Sequence, residues 1–200
     1  MSHMSIGVDI GAALQLICQG NHFASECNVE AAEKTYWDAI EIYKNVLVKC
    51  PGIEYEKELY RTYKKLGTLY HTVGNFDKAV YTYKEIIEHL EKLISFDRLN
   101  ADSYKLKIAS TSLICISILD SSEEKKLLLE RAIKFLEEVN CDNTLLAISY
   151  KTKGDLLAQE DSEKCREAYS KALRIAENGK NDEICEEVAN EIKGLIRTFE

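Results

Sequence analysis

The sequence is short of proline, with one in 200 residues, and it has no apolar run long enough to cross a membrane. A spanning helix needs about 20 apolar residues, and the longest candidate, residues 108–119, is shorter and is interrupted by serine and threonine. Sandwiches and barrels need many punctuated turns, so the scarcity of proline argues against an all-β fold. The N-terminus has no basic segment followed by an apolar run, and no secretory signal is predicted.

An excess of basic charge is also missing. The 26 Lys and Arg residues are outnumbered by 34 Asp and Glu residues, which gives a formal net charge of −8. Proteins that bind nucleic acids use Lys and Arg to displace counterions from phosphates, so this balance argues against a nucleic-acid partner.

Paired metal-ligating cysteines are absent, because none of the seven cysteines forms the C-x-x-C pattern of zinc ribbons and redox motifs. Helical periodicity places Cys18, Cys115 and Cys165 in the core, where free thiols behave as small apolar groups. The sequence therefore predicts reduced cysteines, no bound metal and a cytoplasmic location.

Catalytic motifs are missing as well. The four histidines lack the H-E-x-x-H pattern, and the chain has neither G-x-S-x-G nor a Walker loop. We expect no enzyme activity and no cofactor. A cryptic enzyme or a small-molecule binder stays open as an alternative, and it would require an enclosed polar pocket with perturbed ionisable groups.

What the sequence does have is helical periodicity. Apolar residues recur at steps of three and four over residues 59–73 and again over 76–90, with Gly74 and Asn75 between the two runs. So short a connection predicts an antiparallel hairpin. The pattern predicts four helix pairs and a capping helix in one domain over residues 9–198, namely 9–25 with 29–49, 54–73 with 76–95, 101–118 with 122–139, 143–158 with 161–177, and 182–198. Residues 1–8 are expected to be a vector remnant and a flexible N-terminus.

Small and aromatic residues recur at fixed spacing inside these pairs. The second pair has the complete set, which is Tyr63, Leu66, Gly67, Tyr70, Gly74, Phe76, Ala79 and Tyr83. The first and fourth pairs have looser versions, which are Gly20, Phe23, Ala32 and Tyr36, and then Gly154, Tyr169 and Ala172. Apart from a closing proline, the second set resembles the tetratricopeptide-repeat superfamily. The resemblance implies an all-α, right-handed superhelical array of antiparallel hairpins, although these pairs are longer than the usual repeat of about 34 residues.

Several short segments, in their order and spacing, resemble the middle repeats of the soluble NSF attachment proteins, the SNAP adaptors of vesicle fusion. The segments are 39–43, 70–71 followed by 77–80, 106–109 followed by 132–133, and 142–146. This second resemblance implies an adaptor that grips an acidic coiled coil from the side.

A repeat array leaves a concave surface lined by the first helix of each pair. The sequence places there a predicted partner-binding groove of Arg61, Lys64, Thr68, His71, Lys105 or Lys107, Lys151 and Asp155. A basic groove on an acidic protein would attract an acidic peptide or helix. The alternative interpretation is a solvated helix face with local pairs such as Glu58 with Arg61.

The predicted function is therefore a non-enzymatic scaffold or adaptor that binds a segment of a partner protein in its concave groove. A SNAP-like adaptor and a cryptic enzyme are the alternatives, and self-association of the chain is left open.

Overall fold

The computed structural model describes residues 3–139, 143–179 and 183–197. Within these ranges the chain forms nine α-helices and no strand, which confirms the predicted all-α class. The helices are α1 (His3–Ser25), α2 (Val29–Lys49), α3 (Ile53–Thr72), α4 (Phe76–Phe96), α5 (Ala101–Ile118), α6 (Ser122–Val139), α7 (Asn143–Leu157), α8 (Ser162–Asn178) and α9 (Glu183–Arg197). None of them is both long and apolar enough to span a bilayer.

The chain divides into two compact units, Met1–Ala101 with α1 to α4 and Asp102–Glu200 with α5 to α9. In the first unit, α1 packs with α2, α3 packs with α4, and α2 packs with α3. The helix bounds lie within one residue of the predicted ones, except that α1 begins at His3, six residues before the predicted start. The single domain and the handedness of the array stay predictions.

The turns within the first two pairs have the same construction. After α1, the amide of Asn28 bonds the carbonyl of Phe23 at 2.8 Å, and after α3 the amide of Asn75 bonds that of Tyr70 at 2.9 Å. Both asparagines then cap the next helix, each accepting a backbone N–H with its side chain at 3.3 Å. The residue before each asparagine has a left-handed backbone conformation, with φ of +59° at Cys27 and +74° at Gly74.

A left-handed backbone favours glycine, because a Cβ there costs about 1–2 kcal/mol. We therefore expect Cys27→Gly to raise the free energy of unfolding by about 1 kcal/mol and Gly74→Ala to lower it by a similar amount. Nothing lies within 4 Å of a Cβ at Gly74, so the backbone alone causes the second effect. Urea denaturation of both variants measures the two shifts. Equal stabilities of wild type and Cys27→Gly would show that the turn is unstrained.

The helices of three pairs touch at a glycine that faces a tyrosine ring. A Cβ at Gly20 would lie 2.6 Å from the ring of Tyr36, one at Gly67 would lie 3.0 Å from Tyr83, and one at Gly154 would lie 2.4 Å from Tyr169. These three tyrosines are 2–5% exposed, so their rings fill the space that the missing side chain leaves. In the third pair, Ala109 takes this place against Ala132 and Leu136. The small residues thus let paired helices approach closely, as the sequence predicts.

The hydroxyl groups of the same tyrosines also have partners on the facing helix. Tyr36 donates to Asn21 Oδ1 at 2.9 Å, and Tyr169 donates to Asp155 Oδ1 at 2.7 Å. Since an unpaired buried hydroxyl costs free energy, these bonds stabilise each ring in its position.

One cysteine prediction is wrong. Cys115 and Cys165 are buried as predicted, but Cys18 is exposed on α1. The reason is that α1 is apolar on nearly all sides, so periodicity does not identify its buried face; Ala13 and Ile17 are the side chains that α1 buries. Among the other predicted elements, Cys141, Asp142, Asp182 and Thr198 lie outside the described residues.

Candidate functional site

A groove of about 640 Å³ runs between α1 and α3 in the first unit. We call it the α1–α3 groove. It is lined by Asn21, Ala24, Tyr36, Arg61, Lys64, Lys65, Thr68, Leu69 and Thr72. Arg61, Lys64 and Thr68 are three of the predicted groove residues, and the structure brings them together.

The periodicity of α3 explains why these side chains line one face. Lys64 and Lys65 each lie three or four residues from Arg61 and from Thr68, Thr72 lies four after Thr68, and all five are exposed. The residues between them form the opposite, buried face, which includes Tyr63, Leu66, Gly67 and Tyr70. The face from Arg61 to Thr72 is about 16 Å long, which is room for about three helical turns or about five extended residues.

The groove floor is mostly apolar. It is formed by Ala24, Leu69 and the edge of the Tyr36 ring. Burial raises the pKa of Tyr36, so its hydroxyl stays neutral and remains bonded to Asn21. The hydroxyls of Thr68 and Thr72 donate to backbone carbonyls one turn back, both at 2.9 Å, and so their oxygens are available to accept a hydrogen bond.

The rim of the groove is basic. Arg61 pairs with Glu58, as the interpretation of a solvated helix face predicts. Lys64 and Lys65 have no carboxylate within 4.0 Å among the residues that the structure describes. At least ten other lysines of the described chain do form such pairs. The two groove lysines therefore keep their full charge available to a ligand.

His71 lies outside this groove. Its ring contacts Phe76 and Tyr83 edge to face, and its Nδ1 is 3.1 Å from the Tyr83 hydroxyl. It therefore supports the turn of the second pair, and the structure does not place it beside Lys64.

The four remaining predicted residues belong to the second unit and contact other residues of that unit. Lys105 lies 3.0 Å from Glu138, and this hydrogen bond raises the pKa of Lys105. Lys107 lies 5.3 Å above the ring of Tyr104. Lys151 pairs with Asp155 at 3.2 Å and with Glu191 at 2.9 Å, and Asp155 also accepts the Tyr169 hydroxyl.

Ionisable groups outside the groove also connect helices, and one of the pairs, His89 with Glu56, is buried. His89 Nδ1 lies 2.8 Å from Glu56 Oε2 and joins α4 to α3, while Lys171 lies 2.8 Å from Glu137 and joins α8 to α6. Burial is the largest cause that lowers the pKa of His89, which favours the neutral form of its ring. In the described part of the chain, no three His, Cys, Asp or Glu residues are grouped so that they could hold a metal ion.

Sequence reasoning missed six of the nine groove residues. Asn21, Ala24, Lys65, Leu69 and Thr72 were not predicted as groove residues, and Tyr36 was predicted only as a structural residue. Lys65 and Thr72 could have been found from their spacing to Arg61 and Thr68 on the same helix face. Asn21 and Ala24 could not, because their contribution depends on how close α1 lies to α3.

No family model matches the chain, and a search of curated proteins finds no match either. Among solved structures, it is similar to a de novo designed helical repeat protein, DHR64, with 16% identity, coverage of 98% of this chain and 92% of that one, and a TM-score of 0.43. It is also similar to BtubC from P. vanneervenii (15% identity, coverage 97% and 92%, TM-score 0.47) and to the MamA protein (19% identity, coverage 93% and 88%, TM-score 0.41). The all-α fold of this chain is established by the helices described above.

Proposed function

We propose that this chain is a non-enzymatic scaffold that binds an acidic segment of a partner protein in the α1–α3 groove. The observation that carries the proposal is a pair of exposed lysines, Lys64 and Lys65, that have no carboxylate partner in the described structure and stand beside an apolar floor.

Because the protein as a whole is acidic, an acidic ligand is expected to bind only where the basic rim of the α1–α3 groove attracts it. At a net charge of −8, the chain as a whole repels an acidic ligand, so local attraction at the groove has to exceed that repulsion. A segment with carboxylates along one side would reach Lys64 and Lys65. Its apolar side chains would pack on Leu69 and Ala24, where the burial of apolar surface provides most of the affinity.

Each groove helix is held in its own hairpin, α1 through the Gly20–Tyr36 contact and α3 through the Gly67–Tyr83 contact, and α2 packs against α3. Both contacts belong to the folded hairpins, so the binding surface exists before the ligand arrives. A preformed groove loses little conformational entropy on binding.

The proposed function is tested by comparing an acidic peptide with a basic one and by measuring how the affinity of the acidic peptide depends on salt concentration. The probe is a fluorescein-labelled peptide of about 16 residues built from Glu and Leu, and the control is its Lys and Leu counterpart. We expect the acidic peptide to bind and its affinity to fall at least about tenfold between about 0.1 M and about 1 M NaCl, because the screening length shortens from about 10 Å to about 3 Å.

Fluorescence anisotropy measures both peptides against the wild-type chain. The basic control should bind more weakly than the acidic peptide, although the protein is acidic overall. Tighter binding of the basic peptide would mean that the net charge dominates, and the groove would then have no role.

The two alternatives predict different ligands. A SNAP-like adaptor would prefer an acidic four-helix coiled coil to a single acidic segment, and competition between the two in the same assay distinguishes these functions. A small-molecule binder would show neither the charge preference nor the salt dependence.

A further inference from the structure

The α1–α3 groove has an excess of hydrogen-bond donors over acceptors. The side chains of Arg61, Lys64 and Lys65 line it, and each of them has several N–H donors and no acceptor. No Asp or Glu is among the described residues that line the groove. Its side-chain acceptors are the uncharged oxygens of hydroxyl and amide groups. A ligand for this groove therefore has to present negatively charged, accepting oxygens.

The orientation of Asn21 adds two neutral donors from α1. The buried Tyr36 donates its hydroxyl proton to Oδ1 of Asn21 at 2.9 Å. Burial raises the pKa of Tyr36, so the hydroxyl keeps the proton that it donates. Because Tyr36 occupies the oxygen of the amide, the Nδ2 group with its two N–H donors is the part of Asn21 that a ligand can contact. The groove thus has donors on both of its walls.

The two groove lysines lie at nearly the same height along α3. Lys64 and Lys65 are adjacent, and adjacent residues of a helix differ by only about 1.5 Å along its axis. Acidic residues on one side of a bound segment are about 6–7 Å apart, in a helix or in a strand. Both ammonium groups can therefore reach one point of the groove, and neither has a carboxylate partner within 4.0 Å in the described structure.

Two positive charges that meet at one point match a single group with two negative charges. Phosphoserine and phosphothreonine carry a charge of about −1.5 to −2 at neutral pH and have three accepting oxygens on one phosphorus atom. Hydrogen bonds from charged donors to such oxygens are stronger than those between neutral groups. A single Glu has one negative charge, and it would leave one of the two lysines without a counterion.

We propose that the acidic residue recognised by the α1–α3 groove is a phosphoserine or phosphothreonine of the partner segment, with its phosphate between Lys64, Lys65 and Asn21. This inference rests on the function proposed above and names the chemistry of its ligand. The phosphate accepts hydrogen bonds from both ammonium groups and from the Asn21 amide. Apolar side chains beside it pack on Ala24 and Leu69, which form the floor. Phosphorylation of the partner then controls whether it binds.

Fluorescein-labelled peptides of Gln and Leu test this preference. They differ only at the centre, which is Ser, Glu, two adjacent Glu residues or phosphoserine. We expect phosphoserine to bind the wild-type chain at least about tenfold more tightly than one Glu and at least about fivefold more tightly than two. The peptide with two Glu residues is the control for charge, since its two charges lie on separate side chains. Fluorescence anisotropy measures all of the affinities.

Asn21→Asp tests the donors on α1. The variant keeps an oxygen for the Tyr36 hydroxyl, so the contact between α1 and α2 is retained, but a carboxylate replaces the two N–H donors. We expect the affinity for the phosphoserine peptide to fall at least about tenfold, because the phosphate loses a donor and gains a repulsive neighbour. Circular dichroism verifies that the variant is folded.

Asn45→Asp is the matched control for this substitution. Asn45 is exposed on α2 in the same unit and does not line the groove. Its replacement changes the net charge equally, and it should change the affinity by less than about twofold because salt screens a distant charge.

Inorganic phosphate distinguishes a phosphorylated segment from the free ion. At about 10 mM and constant ionic strength, it should displace only a small part of the bound phosphoserine peptide, because the apolar floor also contributes to binding the segment. Displacement as complete as that by excess unlabelled phosphoserine peptide would overturn the proposal.

The outcomes separate this inference from the function on which it rests. Suppose that the peptide of Glu and Leu binds, but phosphoserine has no advantage over two Glu residues, or Asn21→Asp and Asn45→Asp lose affinity equally. The phosphate site is then wrong and the scaffold function stands. If neither the phosphoserine peptide nor the peptide of Glu and Leu binds, both are wrong.

Discussion

Gly154→Val should lower the free energy of unfolding by about 3 kcal/mol or more. Even the first added carbon would lie 2.4 Å from the ring of Tyr169, which is far inside van der Waals contact. The ring cannot move away cheaply, because Tyr169 is 2% exposed and its hydroxyl is bonded to Asp155. Urea denaturation followed by circular dichroism measures the loss.

A second helical glycine serves as the matched control. Nothing lies within 4 Å of a Cβ at Gly194 in α9, so Gly194→Ala should be neutral or stabilising by up to about 1 kcal/mol through its helix propensity. Should the valine variant fail to fold, Gly154→Ala gives the same comparison with a smaller clash. Equal stabilities of Gly154→Ala and Gly194→Ala would contradict the close contact between Gly154 and the ring of Tyr169.

The clash should also disappear when the ring is removed. Tyr169→Leu costs stability on its own, because it loses buried surface and the bond to Asp155. In that background, however, Gly154→Ala should cost little. The double-mutant cycle therefore yields a coupling free energy of about 1 kcal/mol or more between the two positions.

Much of the fold could be predicted because two signals agree. In α3 and α4 the apolar residues keep a strict helical period, and the glycine and tyrosine positions sit where paired helices touch. The third pair has neither a glycine nor a tyrosine at the corresponding contact positions, and periodicity alone locates it. There Ala109 against Leu136 provides a similar contact with different residues.

One error arises where one of those signals is weak, and other placements stay predictions where neighbouring helices decide the outcome. Cys18 was misplaced because α1 is apolar on most sides, so its period does not distinguish inside from outside. Lys105 and Lys151 were predicted to face a ligand, and each is paired with a carboxylate on another helix, Glu138 and Glu191. Spacing along one helix cannot reveal the charges that the adjacent helix presents.

The α1–α3 groove could be predicted only in part, for a similar reason. The spacing of Arg61, Lys64 and Thr68 on α3 was sufficient to predict one wall. The opposite wall comes from α1, which is more than 35 residues earlier in the chain, and only the packing of the two hairpins brings it into place.

The second large effect concerns Lys64 and Lys65. Changing both to Glu replaces two attractive charges by two repulsive ones beside the ligand. At about 1 kcal/mol for each reversed charge, we expect the affinity for the acidic peptide to fall by about 30-fold or more. Both side chains are exposed and have no carboxylate partner in the described structure, so the variant should fold normally.

The control must change the net charge equally. Lys34 on α2 and Lys92 on α4 are exposed and do not line the groove. Reversing these two lysines removes two positive charges and adds two negative ones, which is the same change of net charge in the same unit. We expect that control to weaken binding by less than about threefold, because the screening length of about 8–10 Å limits distant charges.

The anisotropy titration of the acidic peptide against these three proteins is the most direct test of a ligand site between α1 and α3. Affinity lost in Lys64→Glu/Lys65→Glu and retained in Lys34→Glu/Lys92→Glu is the result that we predict. The same loss in both variants, or in neither, would contradict the site.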